Sequence, residues 1–363
     1  DVYKRQFGKG VSKAVKNAWK IEGAVRGIDA REQRKVDSAM IALDGTPNKR
    51  KLGANITTAV SMATARAAAS GEGKELFEYL NPSSSRLPIP QFNVINGGKH
   101  AGSGLAIQEF MVVPHKAGSF GEAMRIGVEV YHTLRKIIEK KYGRQATSVG
   151  DEGGFAPPVK STVDALALIQ EAVDGAGYAR KVQLAVDCAA SEFFNGKEYE
   201  IDGKRMGAEG LHSLYLDIVK EYGIFSIEDP FREDDFESFA VLNKATKCRV
   251  VGDDLTVSSI ERISRALGMG SMDTLLLKVN QVGTLSEAVE AAGLAKNNGC
   301  GVIVSHRSGE TCDPFIADLA VSLECGIIKT GAPCRSERLA KYNRLLEIEC
   351  LLGNKASYGL IVA

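Results

Sequence analysis

Six charged or ionisable side chains follow short apolar runs in the C-terminal half of this chain. The runs are VQLAV (182–186), IFSI (224–227), RVV (249–251), TLLL (274–277), VIV (302–304) and GII (326–328). The residues at or just after their ends are Asp187, Glu228, Asp253, Lys278, His306 and Lys329. Their successive separations are 41, 25, 25, 28 and 23 residues, and all but the first fit one strand–helix unit of a barrel. Because barrel strands converge at one mouth, we expect these six side chains to lie together.

Three of the six residues are carboxylates, which repel one another in a small buried space. A divalent cation removes that repulsion, and an all-oxygen ligand set without Cys or His favours Mg²⁺ over zinc. We therefore predict a Mg²⁺ site at Asp187, Glu228 and Asp253. A single acid at a strand end is more often a salt-bridged residue, but three at the strand–helix repeat favour the metal interpretation.

Lys278 follows three leucines, and burial together with nearby cations is expected to lower its pKa. A neutral lysine is a usable general base. The segment SHRS (305–308) allows three interpretations: a Ser–His nucleophile pair, a set of donors for an anion, or a loop of chance polarity. The sequence contains no G-x-S-x-G elbow, so we favour the donors. The predicted anion contacts are Ser305, His306, Arg307, Ser308 and Lys329.

Two glycine-containing segments further upstream add candidates. NVINGGKHAGSGLAIQEF (93–110) places a Gly-rich loop between two strand-like runs, with His100 in the loop and Glu109 on the second run. SVGDEGGFAPP (148–158) is an irregular segment that follows a helical pattern. We expect it to hold a carboxylic acid, Asp151 or Glu152, rigidly over the site.

The elements that position these residues divide the chain at NPSSSRLPIP (81–90). Residues 1–80 are mostly helical in pattern, as where Val36, Met40 and Leu43 recur before Gly45. From Leu87 onward strands alternate with amphipathic helices, which indicates parallel strands with crossover helices. We predict an α/β protein with a cap domain in residues 1–82 and a (β/α)8 TIM-like barrel in residues 87–363. A doubly wound sheet is the alternative, but its strand ends lie in a line and would not gather six groups.

The composition of the chain argues against some classes of binding partner. The 46 basic and 45 acidic residues give a net charge of +1, which argues against a nucleic-acid partner. No apolar run reaches the length of a membrane span, and no signal-peptide pattern opens the sequence, which argues against a membrane partner. The seven cysteines form no C-x-x-C pair and fit a reducing cytoplasm.

Long and unusual segments of the chain resemble the enolase family, the phosphopyruvate hydratases. They are DGTPNKRKLGAN, NVINGGKHAGSGLAIQEFMVVP, SVGDEGGFAPP, LAVDCAASEF, SIEDPFREDDF, VGDDLTV, LLLKVNQVGTLSE, GVIVSHRSGET and IKTGAPCRSERLAKYN. The resemblance implies an N-terminal α+β cap and a barrel that begins ββαα before its βα units. It implies the reversible dehydration of 2-phosphoglycerate to phosphoenolpyruvate by a cytoplasmic, Mg²⁺-dependent homodimer.

The resemblance also implies residue roles, because enolase-superfamily sites use a Lys or His base with one or two Mg²⁺ ions. Lys278 would remove the C2 proton, and Glu152, with a raised pKa, would protonate the leaving C3 hydroxyl. Asp187, Glu228 and Asp253 would hold Mg²⁺. The substrate contacts would be His100, Glu109, Glu228, Asp253, Ser305, His306, Arg307, Ser308 and Lys329.

The beginning of the sequence departs from the family pattern. The match begins near Phe7, and DVYKRQ (1–6) looks foreign to the family. The family's opening β-meander carries a mobile Ser-Gly-Ala-Ser-Thr loop whose serine binds a second Mg²⁺, and the given sequence has no counterpart. We therefore expect the chain as given to bind Mg²⁺ but turn over slowly. Two other functions stay open: another superfamily reaction of a carboxylate, and a non-catalytic binding or moonlighting role.

Overall fold

Four helices lie in the first part of the chain that the structure describes. The computed structural model describes residues 11–98 and 104–360. The helices are α1 (Ser12–Val25), α2 (Gln33–Asp44), α3 (Ala54–Gly71) and α4 (Leu76–Leu80). Helix α2 ends at Gly45, whose φ of 63° is the left-handed conformation that glycine adopts without strain. Val36 and Met40 are buried as expected, but Leu43 is 42% exposed, so its placement on the apolar face was wrong.

Eight strands of the described chain form a barrel: β2 (Ile89–Asn96), β3 (Glu109–Val113), β4 (Gln183–Asp187), β7 (Ser226–Glu228), β8 (Arg249–Gly252), β9 (Thr274–Leu277), β10 (Gly301–Ser305) and β11 (Gly326–Lys329). The barrel closes in the order β10-β11-β2-β3-β4-β7-β8-β9. β3 is antiparallel to both neighbours, and the other pairings are parallel. The predicted fold class and the ββαα opening are therefore confirmed.

The barrel is surrounded by helices that connect its strands. They are α5 (Phe120–Tyr142), α6 (Thr162–Gly175), α7 (Ala208–Tyr222), α8 (Phe236–Ala245), α9 (Ile260–Met269), α10 (Val279–Val282), α11 (Leu285–Asn297), α12 (Phe315–Ser322) and α13 (Ser336–Leu352). Two small sheets lie outside the barrel: β1 (Arg86–Leu87) with β12 (Ser357–Tyr358), and the hairpin β5 (Tyr199–Ile201) with β6 (Lys204–Met206).

Several barrel helices begin at a side chain that the sequence supplies for capping. The Ser119 hydroxyl accepts the Glu122 N–H at 3.0 Å, and the Ser161 hydroxyl accepts the Asp164 N–H at 3.1 Å. Each of these N-cap residues satisfies one of the otherwise unpaired N–H groups of the first helical turn. The acidic residue three positions later faces the positive end of the helix dipole.

The barrel strands are buried on both faces, which explains why they read as continuous apolar runs. One face packs inside the barrel, in a core of Ile89, Met111, Val113, Ala185, Phe225, Val251, Leu276, Ile303 and Ile327. The other face packs against the surrounding helices in a larger core. Within the described residues, no helix is both long and apolar enough to span a membrane.

The N-terminal helices contact the barrel beside the end of strand β9. The Asp37 carboxylate on α2 accepts the Ser286 N–H at 3.0 Å, and the Ser61 hydroxyl on α3 accepts the Leu285 N–H at 2.9 Å. Both donors lie in the first turn of α11, where N–H groups have no partner inside the helix. These helices therefore lie against the barrel close to the mouth that carries the candidate residues.

Candidate active site

Side-chain alternation along the strands brings most of the candidates into the barrel mouth. Successive side chains of a strand point to opposite faces, so a residue two positions after an inward-facing one also points inward. The inward pairs are Met111 with Glu109, Ala185 with Asp187, Val251 with Asp253, Leu276 with Lys278, Ile303 with Ser305, and Ile327 with Lys329. Five of the six strand-end residues line one cavity of about 150 Å³, and Glu228 contacts Lys329 beside it.

Lys329 lies at the centre of three carboxylates. Its ammonium group is 2.8 Å from Asp187 Oδ2, 2.8 Å from Glu228 Oε2 and 3.2 Å from Glu109 Oε2, and all four side chains are buried. Burial lowers the pKa of Lys329, but the attraction of the surrounding carboxylates outweighs burial and raises it well above its usual value. Lys329 is therefore a fixed positive charge in the mouth of the barrel.

Lys278 forms an ion pair with Asp253 on the neighbouring strand end. The other oxygen of that carboxylate accepts the Gln281 side-chain amide at 3.0 Å. Burial is the largest single influence on Lys278 and lowers its pKa, but the attraction of Asp253 together with that of Glu228 outweighs burial, and the net shift of the pKa is upward. The expectation of a lowered lysine pKa is therefore wrong for the protein without a metal, because the sequence did not reveal this partner.

The three predicted metal ligands are neighbours, but they form ion pairs with two different lysines. Asp187 and Glu228 are paired in register on adjacent strands and share Lys329, whereas Asp253 contacts Lys278. The Glu228 Oε1 atom is buried and has no hydrogen-bond partner among the described residues. Burial and the charge of Asp187 raise the pKa of Glu228 well above its usual value. A buried carboxylate oxygen without a donor, among like charges, fits an oxygen-binding divalent cation such as Mg²⁺.

Two other trios in the described chain each offer three ligand atoms within 4.8 Å of one another. The first is Asp229, Asp253 and Asp254. In it the Asp229 carboxylate accepts the N–H groups of Asp253 at 3.0 Å and Asp254 at 2.7 Å, so Asp229 shapes the turn that presents Asp253. The second trio is Glu109, Glu152 and His306, and its hydrogen bonds point to proton transfer rather than to metal binding.

Glu152 lies in a buried hydrogen-bond network. Its Oε2 accepts the Asn93 side-chain amide at 2.9 Å and lies 3.5 Å from His306 Nε2. An oxygen of Glu152 lies within 4.8 Å of an oxygen of Glu109, and burial and the charge of Glu152 raise the pKa of Glu109 well above its usual value. A buried carboxyl group whose pKa is raised in this way holds its proton more tightly. Glu109 and Glu152 together can therefore hold an acidic proton in the site.

His306 is neutral and buried. Burial lowers its pKa to about 4. Its Nδ1 lies 2.7 Å from a guanidinium nitrogen of Arg338, which can only donate, so Nδ1 accepts and the ring proton lies on Nε2. The protonated Nε2 faces Glu152, and the imidazole has no lone pair left for a metal. This excludes the second trio as a histidine-containing metal site.

The remaining SHRS side chains lie at the rim of the same cavity. The Ser305 hydroxyl donates to the His306 carbonyl at 3.0 Å instead of to an imidazole, which disfavours the nucleophile interpretation. Arg307 is exposed, with a guanidinium nitrogen 3.3 Å from Asn280 Oδ1, and Ser308 lines the cavity. His100 lies outside the described residues.

Sequence reasoning missed several residues of the site. Asn93 and Asp229 were given no role, although each lies next to a candidate. Arg338 was quoted only as part of a segment that resembles a family. A signal for it exists: Arg338 and Lys341 share the helical face of Tyr342, Leu345 and Ile348, and a charged residue on an apolar face needs a buried partner.

Carboxylates and two lysines at the C-terminal mouth of an α/β barrel define an enzyme of acid–base chemistry, because this mouth carries the active site in such barrels. Residues 84–361 match the family model of the enolase C-terminal TIM barrel domain, and residues 1–80 match that of the enolase N-terminal domain. The chain therefore belongs to the enolase family, a family of lyases, as its resemblance predicted.

Curated relatives named enolase match nearly the whole chain. The enolase of Methanocaldococcus jannaschii is 54% identical over 355 residues, which are 97% of this chain and 84% of that protein. The enolase of Methanopyrus kandleri is 52% identical over 363 residues, with 98% and 85% covered. The enolase of Methanococcoides burtonii is 51% identical over 358 residues, with 98% and 84% covered.

Proposed function

We propose that this chain catalyses the reversible dehydration of 2-phosphoglycerate to phosphoenolpyruvate. The observation that carries the proposal is the pairing, in one cavity, of a lysine that can take a proton with a carboxyl pair that can give one. Lys278, Glu152 and Glu109 all line this cavity. Base and acid in opposite protonation states are what an elimination of water requires.

The substrate is an anion, and the cations of the mouth suit it. Removing a proton next to a carboxylate places a second negative charge on that group, so positive charge held there in advance lowers the barrier. Lys329 and Arg307 both line the cavity and supply such charge. We assign the Mg²⁺ site to Asp187, Glu228 and Asp253, and a bound Mg²⁺ supplies further electrostatic stabilisation of the developing charge.

Lys278 can act as a base only when its ammonium group loses the stabilisation that Asp253 provides. Asp253 is one of the assigned metal ligands, so its charge is shared with the cation when Mg²⁺ is bound. Burial, which is already the largest single influence on the pKa of Lys278 and lowers it, would then no longer be outweighed. We infer that Lys278 is neutral and ready to accept the C2 proton only in the metal-bound enzyme.

Glu152 is assigned the role of the acid. Hydroxide is a poor leaving group, so the C3 hydroxyl must be protonated as it departs. A proton held by the Glu109–Glu152 pair, in which the Glu109 pKa is raised, supplies it, and the neutral His306 with its Nε2 proton helps to orient the Glu152 carboxyl group. The substrate contacts are assigned to Glu109, Ser305, His306, Arg307, Ser308 and Lys329, together with His100.

We also propose a homodimeric, cytoplasmic enzyme divided into a cap of residues 1–82 and a barrel of residues 87–363. The separate small core of Ile21, Val36, Met40 and Leu52 supports the division. The seven free cysteines support a reducing compartment. Light scattering of the purified protein tests the dimer.

The proposal is tested by mixing the purified chain with 2-phosphoglycerate and Mg²⁺ and following the ultraviolet absorbance of the enol product. We expect Mg²⁺-dependent product formation that Lys278→Ala abolishes. A panel of carboxylates without phosphate is the comparison. Turnover of such a carboxylate but not of 2-phosphoglycerate would contradict the proposal and favour another reaction of the superfamily.

A further inference from the structure

We propose that Arg338 is a positioning residue that fixes the tautomer of His306 and joins the loop of Glu152 to the 305–308 loop. The inference rests on the proposed function, in which His306 and Glu152 belong to the acid side of the site. Arg338 itself touches neither the cavity nor the assigned metal ligands, so it acts through these two loops.

The contacts of Arg338 lead to both loops. It lies in the first turn of α13 and is completely buried. One terminal nitrogen donates to His306 Nδ1 and to the Arg307 carbonyl, both at 2.7 Å. The other donates to the Ser308 carbonyl at 2.7 Å and to the Asp151 carbonyl at 3.0 Å. A planar fork of fixed N–H directions holds its acceptors at fixed relative positions, which a flexible ammonium group cannot do.

The backbone after strand β11 leaves room for the Arg338 side chain because residue 331 is a glycine. Gly331 has a φ of +86°, and a Cβ at that position would lie 2.8 Å from Arg338 Cδ and 2.9 Å from the Glu152 carbonyl oxygen. The next residue, Ala332, donates its N–H to the same Glu152 carbonyl at 2.9 Å. The backbone of Glu152 is therefore held by the segment that follows β11, while Arg338 holds its neighbour Asp151.

The effect on His306 follows from donor and acceptor chemistry. A guanidinium group has five donors, no acceptor and a permanent charge, so it forces the facing Nδ1 to remain unprotonated. The ring proton then lies on Nε2, facing Glu152 Oε2 at 3.5 Å. The charged or ionisable groups near the ring are Arg338, Glu152, Glu109 and Glu310, and burial keeps the ring neutral with a pKa of about 4. Without Arg338, both tautomers become available to a neutral ring, and only one of them can donate to Glu152.

The first measurement uses the unmodified protein without substrate. Labelling with ¹⁵N-histidine reports which ring nitrogen carries the proton, and a His306→Gln spectrum identifies the His306 signals. We expect the Nε2–H tautomer of His306. An Nδ1–H tautomer in the unmodified protein would overturn the proposal without any variant of Arg338. Because no substrate is present, this result is independent of whether the chain turns over 2-phosphoglycerate.

The second measurement compares Arg338→Gln with Arg338→Lys. The amide can donate or accept, so we expect mixed tautomers and a kcat about 30- to 100-fold lower, with KM changed less than about threefold. The ammonium group only donates, so Arg338→Lys should keep the Nε2–H tautomer and recover part of kcat. Arg344→Gln is the matched control, because Arg344 lies on the same helix as Arg338 but its guanidinium group pairs with Asp318, Glu75 and Glu347. This variant should leave the His306 tautomer unchanged. A folded Arg338→Gln protein with one tautomer and unchanged kcat would overturn the proposal.

Discussion

His306 Nε2 lies 3.5 Å from Glu152 Oε2, and both side chains are 2% exposed. In this buried position the imidazole and the carboxyl group form an ion pair only if the ring takes up a second proton. The Arg338 charge on the far side of the ring opposes that proton, and burial opposes it more strongly. The histidine ring of this pair therefore stays neutral, and the stability of the folded protein depends on pH as a result.

The stability of the protein should fall in acid partly because of His306. Its folded pKa of about 4 is below the ordinary value of 6.5, so unfolding takes up a proton below pH 6.5 and stability is lost as the pH falls from about 6.5 to about 4. Between pH 7 and pH 5 this group alone should cost about 2 kcal/mol of unfolding free energy. Urea unfolding of His306→Gln at the two pH values should show a correspondingly smaller loss. His132→Gln, on the exposed surface of α5, should behave like the unmodified protein, and an equal loss in all three proteins would refute the prediction.

Lys329→Met should destabilise the metal-free protein strongly. The substitution leaves Asp187, Glu228 and Glu109 without the cation that they share, and removing one partner of a buried ion pair costs about 3–5 kcal/mol. Glu228 and Glu109, whose folded pKa values are already raised, then lose the neighbouring ammonium charge, so the variant should lose further stability as the pH rises. Denaturation in EDTA at pH 5.5 and pH 8 measures both effects.

The control for Lys329→Met is Lys341→Met. Lys341 is equally buried, but it faces one carboxylate, that of Glu310, together with the carbonyls of Thr311 and Glu337. The loss of stability in Lys341→Met should therefore depend less on pH. Added Mg²⁺ should restore part of the stability of Lys329→Met, since a cation can take the place of the ammonium charge. A deficit that Mg²⁺ does not change would argue against the assigned metal site.

Glu228→Gln should weaken Mg²⁺ binding by at least about tenfold, because it removes one of three charged ligands and the oxygen that has no protein donor. Isothermal titration calorimetry measures the affinity directly. Asp273→Asn is the matched control: Asp273 is an acid next to strand β9 but at the opposite end of the barrel, where it accepts the Val250 N–H at 3.1 Å. Equal Mg²⁺ affinity in the two variants would contradict the assignment of Glu228.

The barrel could be predicted from sequence because its strands leave a local signature. Strands such as TLLL are buried on both faces and must be apolar throughout. The residue that follows lies at the rim and can be charged. Lys278 and Lys329 could therefore be recognised as charged residues that end an apolar run. Strand ends were placed within about two residues for the same reason.

The pairing among rim residues could not be predicted, because it depends on distances across the barrel. Nothing near Lys278 in the chain shows that Asp253 would be its partner, and the direction of the lysine pKa was wrong for that reason. Arg338 contacts residues 30 or more positions away, so its role needs the tertiary structure. The residue roles implied by family resemblance are not tested by these contacts and stay predictions.

The central claim is that Lys278 removes the C2 proton while Glu152 protonates the leaving group. The measurement that separates the two steps is exchange of the C2 proton of 2-phosphoglycerate with deuterated water, at saturating Mg²⁺, followed alongside phosphoenolpyruvate formation. We predict that Glu152→Gln loses product formation by about 10²- to 10⁴-fold but keeps C2 exchange, whereas Lys278→Ala loses both. C2 exchange at the unmodified rate in Lys278→Ala would contradict the account.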